Sequence, residues 1–391
     1  MVRGTIACAM TILLASTLAS EAQTTSRQTQ AARAGSAAQQ AISRANRGVV
    51  GIISGQIDST SLRMTSDLQQ VLDSKDQLRV VPMIGKGSVQ GIRDILYLRG
   101  TDIGLVQSDV LNYFKRARRF PGIEARIHYI TKLHNEEVHV LSRMRYTCID
   151  DLVGKKVNFG PEGSGSAMTA QIMFDAHGVK VRPVNLTQAT ALEELKRGAI
   201  AATVVVGGKP APIFERIKYT DRVHFLDVEY LAPLKDGYSP GIMVHDDYPD
   251  LISRNETVST ITVSAVLAVY NWKSDSARYR KVAAFTNSFF DRFDEFKKEP
   301  HHAKWREVRL ADPVPGWSRF RAAEIWLRKH APRVAAKTGP VETGTRTTAD
   351  AKVVFRQFLA SRAGEQVQGL SKAEKDALLD QFVRWMKSQQ Q

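Results

Sequence analysis

The stretch Val89-Gln90-Gly91-Ile92-Arg93-Asp94-Ile95-Leu96-Tyr97-Leu98-Arg99-Gly100-Thr101-Asp102-Ile103-Gly104-Leu105-Val106-Gln107-Ser108-Asp109 decides how this chain is read. Val89, Ile92, Ile95 and Leu96 recur at helical spacing, and Gly100 suits the left-handed turn that closes a helix. Asp102–Val106 then reads as a buried strand, and Gln107-Ser108-Asp109 as the polar corner after it. Roughly 100 residues on, the same order returns. Ala191–Lys196 has a helical pattern, Gly198 stops it, Ala201–Val206 is a strand, and Gly207-Gly208-Lys209-Pro210 turns the corner. Two units of like construction predict two α/β lobes.

The rest of the chain extends this pattern. Gly48–Ile53 is a short apolar run of the buried-strand type, and Val138–Leu141 reads as a strand that carries the chain between lobes. Ile149-Asp150-Asp151-Leu152 starts a short helix with acids at its positive end. Lys155–Gly160 is a strand, and Ala167–His177 a helix stopped by Gly178. Strands that alternate with helices argue for a mostly parallel open sheet in each lobe. After a loop-like region from Tyr238, Val258–Val269 is rich in β-formers, and Tyr279–Phe293 and Phe320–Arg328 have helical patterns. Lobe 1 is expected over 47–140 and 240–334, and lobe 2 over 141–239. Residues 335–350 read as a linker, and 351–391 as an extension of two amphipathic helices.

The amino terminus bears on the compartment. Arg3 precedes an apolar run from Ile6 to Leu18, and Ser20-Glu21-Ala22 offers small residues for a signal peptidase. The pattern predicts a cleavable signal peptide over 1–22, with cleavage after Ala22 and a periplasmic product. About 13 apolar residues are too few to cross a ~30 Å hydrocarbon core as a helix. Residues 23–46, rich in Gln, Ala, Ser and Arg, read as a flexible leader. Cleavage at Ala22 would leave Cys148 as the sole cysteine of the two, so stability must come from packed cores. With 391 residues the chain suits two domains of ~100–150 residues plus appendages.

The net charge of +15 biases the surface toward anions. Its basic residues are spread along the chain and sit in no nucleic-acid motif, so no nucleic-acid partner is expected.

The strongest local feature is Phe159-Gly160-Pro161-Glu162-Gly163-Ser164-Gly165-Ser166, a strand-to-helix turn. Its glycines admit close backbone approach, and the helix that follows begins with unpaired N–H groups and partial positive charge. Gly85-Lys86-Gly87-Ser88 opens the earlier helix in the same way. Ordinary helix capping explains either turn taken singly. One such turn per lobe, together with the Gln107-Ser108 and Gly207-Gly208 corners, matches the rule that open α/β sheets bind ligands beyond their strands' carboxyl ends. Catalytic patterns are poor. Gly163-Ser164-Gly165 lacks nucleophile-elbow spacing, His301-His302 is adjacent rather than one helical turn apart, and His128, His134 and His139 are scattered. Glu136-Glu137 reads as a solvated pair, and Trp305, Trp317 and Trp326 as packing residues. Neither an enzyme, a cofactor nor a metal is expected.

These segments together resemble the solute-binding subunit of the TAXI branch of the tripartite ATP-independent periplasmic (TRAP) transporters. The matching pieces are Gly85–Ile92, Asp102–Asp109, Asn135–Arg143, Asp151–Val157, Gly160–Ser166 and Ala199–Pro210. The resemblance implies a type II periplasmic-binding-protein fold: two lobes joined by crossing strands, with a small organic anion such as a dicarboxylate or amino-acid-like molecule in the cleft. It implies delivery to a TRAP-type membrane permease; presentation of the closed state to a signalling receptor is the alternative. By position it places Ser88, Gln107, Ser108, Ser164, Gly165, Ser166, Gly207 and Gly208 in the cleft, with Tyr238 near the return crossing. In the first loop, where the family usually ends in Thr-Tyr-Tyr, this chain has Asp58-Ser59-Thr60-Ser61-Leu62 and keeps only Thr60.

Overall fold

A computed structural model describes residues 48–330, save 58, 75–77 and 216, together with 36, 39–42 and 46. The expected signal peptide, the linker, the terminal helices and most of the leader lie outside the described residues.

Within this body the chain runs β1 (Val49–Ile53), β2 (Arg79–Met83), β3 (Ile103–Gln107), β4 (Ile127–Arg143), β5 (Lys156–Asn158), β6 (Arg182–Val184), β7 (Ala202–Gly207), β8 (Val223–Phe225), β9 (Ser239–Val244) and β10 (Thr257–Tyr270). Helices Thr60–Leu72 and Ser88–Tyr97 connect the first three strands, and Gly165–His177 and Gln188–Arg197 connect β5, β6 and β7. Strand order is β2-β1-β3-β10-β4-β7-β5-β6. β1 pairs parallel with β2 and β3, and β5 pairs parallel with β6 and β7. The order is therefore nearly palindromic. Each half is a βαβαβ unit flanked by one antiparallel strand, β10 beside β3 and β4 beside β7. This is the repeat seen at Val89–Asp109 and Ala191–Pro210, completed by β1 and β5, where strands were expected, and by the edge strands β2 and β6, which the sequence does not betray.

The two halves are joined by the longest strands, β4 with 17 residues and β10 with 14. The amino-terminal part of β4 pairs with the carboxyl-terminal part of β10 beside β3, and its carboxyl-terminal part runs beside β7. Both are buried along most of their length, which explains their Val, Ile, Leu and Ala content. The return crossing lies in β10, not near Tyr238. Residues 240–262 were expected in lobe 1, but β9 pairs with Thr257–Thr262, and Met243, Tyr248 and Ile252 pack with Leu141, Leu195 and Phe214 of the second lobe.

Each lobe has its own core. In the first, Ile92, Ile95, Val106, Phe114 and Ile127 cluster. Phe289 meets Phe296 and Trp305 edge-on at 5.3 and 5.8 Å. In the second, Phe159 stacks on Phe174 at 5.4 Å among Val138, Val157, Met173 and Val204. Gly198 and Gly178 end their helices at φ of 81° and 69°, as their sequence positions predict. The helix Thr60–Leu72 was not foreseen, because Ser59-Thr60-Ser61 reads as loop. Ser59 in fact caps it, accepting from the Leu62 amide at 3.1 Å.

Candidate functional site

A cavity of about 300 Å³ lies where the two lobes face each other. Its walls come from segments after the carboxyl ends of six parallel strands: Gly55–Ile57 and Ser59–Ser61 after β1, Lys86–Ser88 after β2, Gln107 at the end of β3, Ser164–Ser166 after β5, Thr187–Ala189 after β6, and Gly207 with Ala211–Ile213 after β7. Glu136, on the crossing strand β4, completes it. The volume falls at the lower end of small-molecule sites. Three loops from each half converge because each βαβαβ unit points its strand ends at the other.

Seven of the ten residues expected at the site line this cavity: Thr60, Ser88, Gln107, Ser164, Gly165, Ser166 and Gly207. Most of their polar atoms are already engaged. The Ser88 hydroxyl accepts from the Gln107 amide at 2.9 Å, and Ser166 Oγ accepts from the Val206 amide at 3.0 Å. Ser164 caps its own helix by accepting from the Ala167 amide at 3.0 Å, which is the bland reading of that serine. Thr60 donates across the lobes to the Gly208 carbonyl at 3.1 Å. Gly165 is fixed sterically, since a Cβ there would sit 2.7 Å from Ser88 Oγ and collide with the Gln107 side chain. The two helix starts therefore meet directly, and the Gln90 amide donates to the Gly163 carbonyl at 3.0 Å.

The other three lie off the cavity wall. Gly208 holds its carbonyl toward Thr60 but faces His134 and Lys304 behind the wall. Ser108 accepts from Trp317 Nε1 at 2.8 Å through its carbonyl and donates its amide to Ser264. Tyr238 is buried in the second lobe's core, where its hydroxyl donates to Asp109.

Several wall residues were missed, among them two polar groups. Thr187 and Gln188 follow β6, whose Arg182-Pro183-Val184 carries no apolar alternation to betray a strand. Gln188 is held by donating to the Val204 carbonyl at 3.0 Å and accepting from Thr203 at 3.1 Å. Glu136 was read as half of a solvated pair. Glu136 and Glu137 are instead only 5% and 4% exposed, because β4 is covered on both faces where it passes between the lobes.

Those two acids are treated differently by their surroundings. Glu137 receives the Lys304 ammonium at 3.0 Å and the Lys209 amide at 2.9 Å. Burial lowers the Lys304 pKa, but Glu137 and Glu307 outweigh it and raise the pKa overall. Glu136 has Gln107 Nε2 at 3.0 Å on Oε2, while Oε1 has only the His134 ring at 3.7 Å. Burial, with Glu137 and Asp109 nearby, pushes the Glu136 carboxyl up to about 7 despite Gln107 and Lys304. His134 is fully buried, and neither ring nitrogen has a hydrogen-bond partner among the described residues. Burial and the nearby Lys304 and His302 charges hold its pKa well below the usual histidine range, so it is neutral. Lys86 stands exposed on the wall.

Among solved structures, the chain is similar to the periplasmic binding protein BugD at 12% identity, covering 74% of this chain and 96% of that one, with a TM-score of 0.44. It is similar to a TctC solute-binding protein from Polaromonas at 15% identity, covering 64% and 88%, with a TM-score of 0.36. It is also similar to a histidine kinase sensor domain at 15% identity, covering 68% and 98%, with a TM-score of 0.41. Palindromic strand order, two crossing strands and a cavity at the strand ends make this a two-lobed α/β fold of the periplasmic-binding-protein type. A family profile matches residues 63–315, from within the helix Thr60–Leu72 to the segment before Trp317, and the chain belongs to the NMT1-like family.

Proposed function

We propose that the protein is an extracytoplasmic solute-binding protein that captures a small carboxylate-bearing organic molecule between its lobes and hands it to a TRAP-type permease. The observation that carries this reading is the cavity itself. Six loops from two pseudo-equivalent units close on one small space, and two helix starts meet at its edge. Helix starts offer partial positive charge to a carboxylate. The narrower TAXI and TRAP assignment, the periplasmic location and the permease partner rest on the sequence resemblance and on the export signal expected over 1–22.

Such a protein works by closure. A ligand favours the closed form only by its extra affinity for it, and a molecule touching both sets of loops has that extra affinity by construction. Thermal-shift screening of residues 23–391 against organic acids and amino acids tests the reading. A true ligand at ~100 times its dissociation constant adds ~2.7 kcal/mol of stability. X-ray scattering with the best binder should show a more compact particle. A broad screen without a shift, or a binder that leaves the scattering envelope unchanged, counts against this function.

A further inference from the structure

The wall of the cleft carries a buried acid, Glu136, that no Lys or Arg among the described residues pairs with. Lys304, the nearest buried cation, is committed to Glu137 at 3.0 Å and to Glu307 at 3.0 Å. Lys209, the next cation along the crossing, is held by Asp247 at 2.9 Å and by the Ile242 carbonyl at 2.6 Å. His134 beside Glu136 is neutral and stands 3.7 Å away, beyond a direct hydrogen bond. Glu136 thus has one oxygen paired with an uncharged amide and a second oxygen without a donor among the described residues, on the wall of a cavity. An acid left this way in a buried site is costly unless something pairs with it.

We propose that Glu136 is the specificity-determining residue of the cleft, and that its Oε1 receives an N–H group from a cationic nitrogen of the ligand. The inference rests on the reading of the cavity as a site for a carboxylate-bearing small molecule, and it narrows that class. The ligand is a zwitterion, with its carboxylate toward the helix starts and Lys86 and its ammonium at Glu136. Dicarboxylates without a nitrogen are disfavoured, because they would bring further negative charge to an acid that has no counter-ion. Gln107 positions the acid: its Nε2 holds Oε2, and its own backbone amide is fixed by Ser88. With Oε2 so held, Oε1 is the oxygen left for a ligand.

Calorimetric titration of the full mature chain with matched pairs tests this. The pairs are L-glutamate and glutarate, L-leucine and 4-methylpentanoate, L-phenylalanine and 3-phenylpropanoate, and 4-aminobutanoate and butanoate. At least one nitrogen-bearing member should bind tenfold or more tightly than its nitrogen-free partner. In Glu136→Gln that preference should vanish, with the nitrogen-free acid binding as well as or better than in the wild type. If a nitrogen-free acid binds the wild type as tightly as its amine, the Glu136 assignment is wrong while the carboxylate site stands. Binding by no member of any pair overturns the carboxylate reading and this assignment with it. The wild-type arm decides the matter even if Glu136→Gln fails to fold.

Discussion

The Tyr238 hydroxyl donates to Asp109 Oδ2 at 2.5 Å, and Thr169 Oγ1 donates to the same oxygen at 3.1 Å. Asp109 sits at the start of the Val110–Arg116 helix in the first lobe, whereas Tyr238 and Thr169 belong to the second. A residue expected to touch ligand is therefore a clasp between lobes, remote from the cavity. Tyr238→Phe should leave each lobe folded but weaken closure. Losing a hydrogen bond to a buried acid removes roughly 1.5–3 kcal/mol, so ligand affinity should fall about 10- to 100-fold. Unchanged affinity in titration would show that the clasp plays no part in closure.

The same acid makes fold stability sensitive to pH in a defined direction. Burial raises Asp109 to about 6, against the opposing pull of Tyr238 and Thr169. Between roughly pH 4 and 6 the folded chain thus keeps a proton on Asp109 that an unfolded chain has released. This group stabilises the fold as pH falls through that window, and the contribution disappears above about 6. Buried His139 acts in the opposite sense, since burial lowers it to about 4 and acid favours its unfolded, charged form. Comparison with Asp109→Asn separates the two. The melting temperature of the wild type minus that of Asp109→Asn should be larger at about pH 5 than at about pH 7.5. A difference that stays constant or grows with pH would contradict this assignment.

Gly165 gives a steric test of the cleft. Its helix start packs so closely on Ser88 and Gln107 that an added methyl has no room unless the lobes part or Gln107 leaves Glu136. Gly165→Ala has an ordinary helical position to occupy, so the lobe itself should fold with less than ~1 kcal/mol of change. Ligand binding should drop by at least tenfold, and scattering should report a more open particle. Binding at wild-type strength would mean that the described meeting of helix starts is unnecessary for capture.

How much of this was legible in the sequence depends on which physical signal each element carries. Gly198 and Gly178 announced their helix ends, and the runs Asp102–Val106 and Ala201–Val206 announced β3 and β7, each within one residue of its observed bounds. The repeat is therefore legible in the sequence, and the family resemblance carried by its corners points to six of the cavity residues, with Thr60 added from the first loop. The edge strand β6, only three residues of mixed polarity, left no pattern, so Thr187 and Gln188 were lost with it. Glu136 failed for another reason. Acidic neighbours in sequence usually face water, and only the crossing of two long strands between lobes buries them. Tyr238 was placed in the cleft because a short loop after it was taken as the return crossing. The true crossing, inside β10, is set by pairing between segments over 100 residues apart, which no local pattern encodes.

The pair Lys304–Glu137 joins the segment after the first lobe's helices to the crossing strand, with both side chains nearly fully buried. Lys304→Met should cost about 3–5 kcal/mol, because Glu137 would be left charged and buried. Adding Glu137→Gln keeps an acceptor for the Lys209 amide and removes the stranded charge. The double variant should therefore be more stable than Lys304→Met alone by more than about 1 kcal/mol in urea unfolding. Strictly additive losses would mean that the two groups do not sense each other.

A buried polar network in the second lobe surrounds His139. Its Nδ1 lies 3.2 Å from the Val205 carbonyl, which can only accept, so Nδ1 carries the proton and Nε2 is the acceptor. The Tyr248 hydroxyl then donates to Nε2 at 2.7 Å and accepts from the Ala211 amide at 2.8 Å. Phe214 and Phe225 enclose the ring at 5.3 and 5.7 Å, leaving no route to water. Tyr248→Phe keeps the packing but strands one donor and one acceptor, at roughly 1–3 kcal/mol each. The loss should be largest near neutral pH, where His139 is uncharged and needs that donor. It also loosens the Ala211–Ile213 segment of the cavity wall, so affinity should weaken along with stability. Urea unfolding and ligand titration on the one variant check both. Stability lost without any change in affinity would separate this network from the cleft.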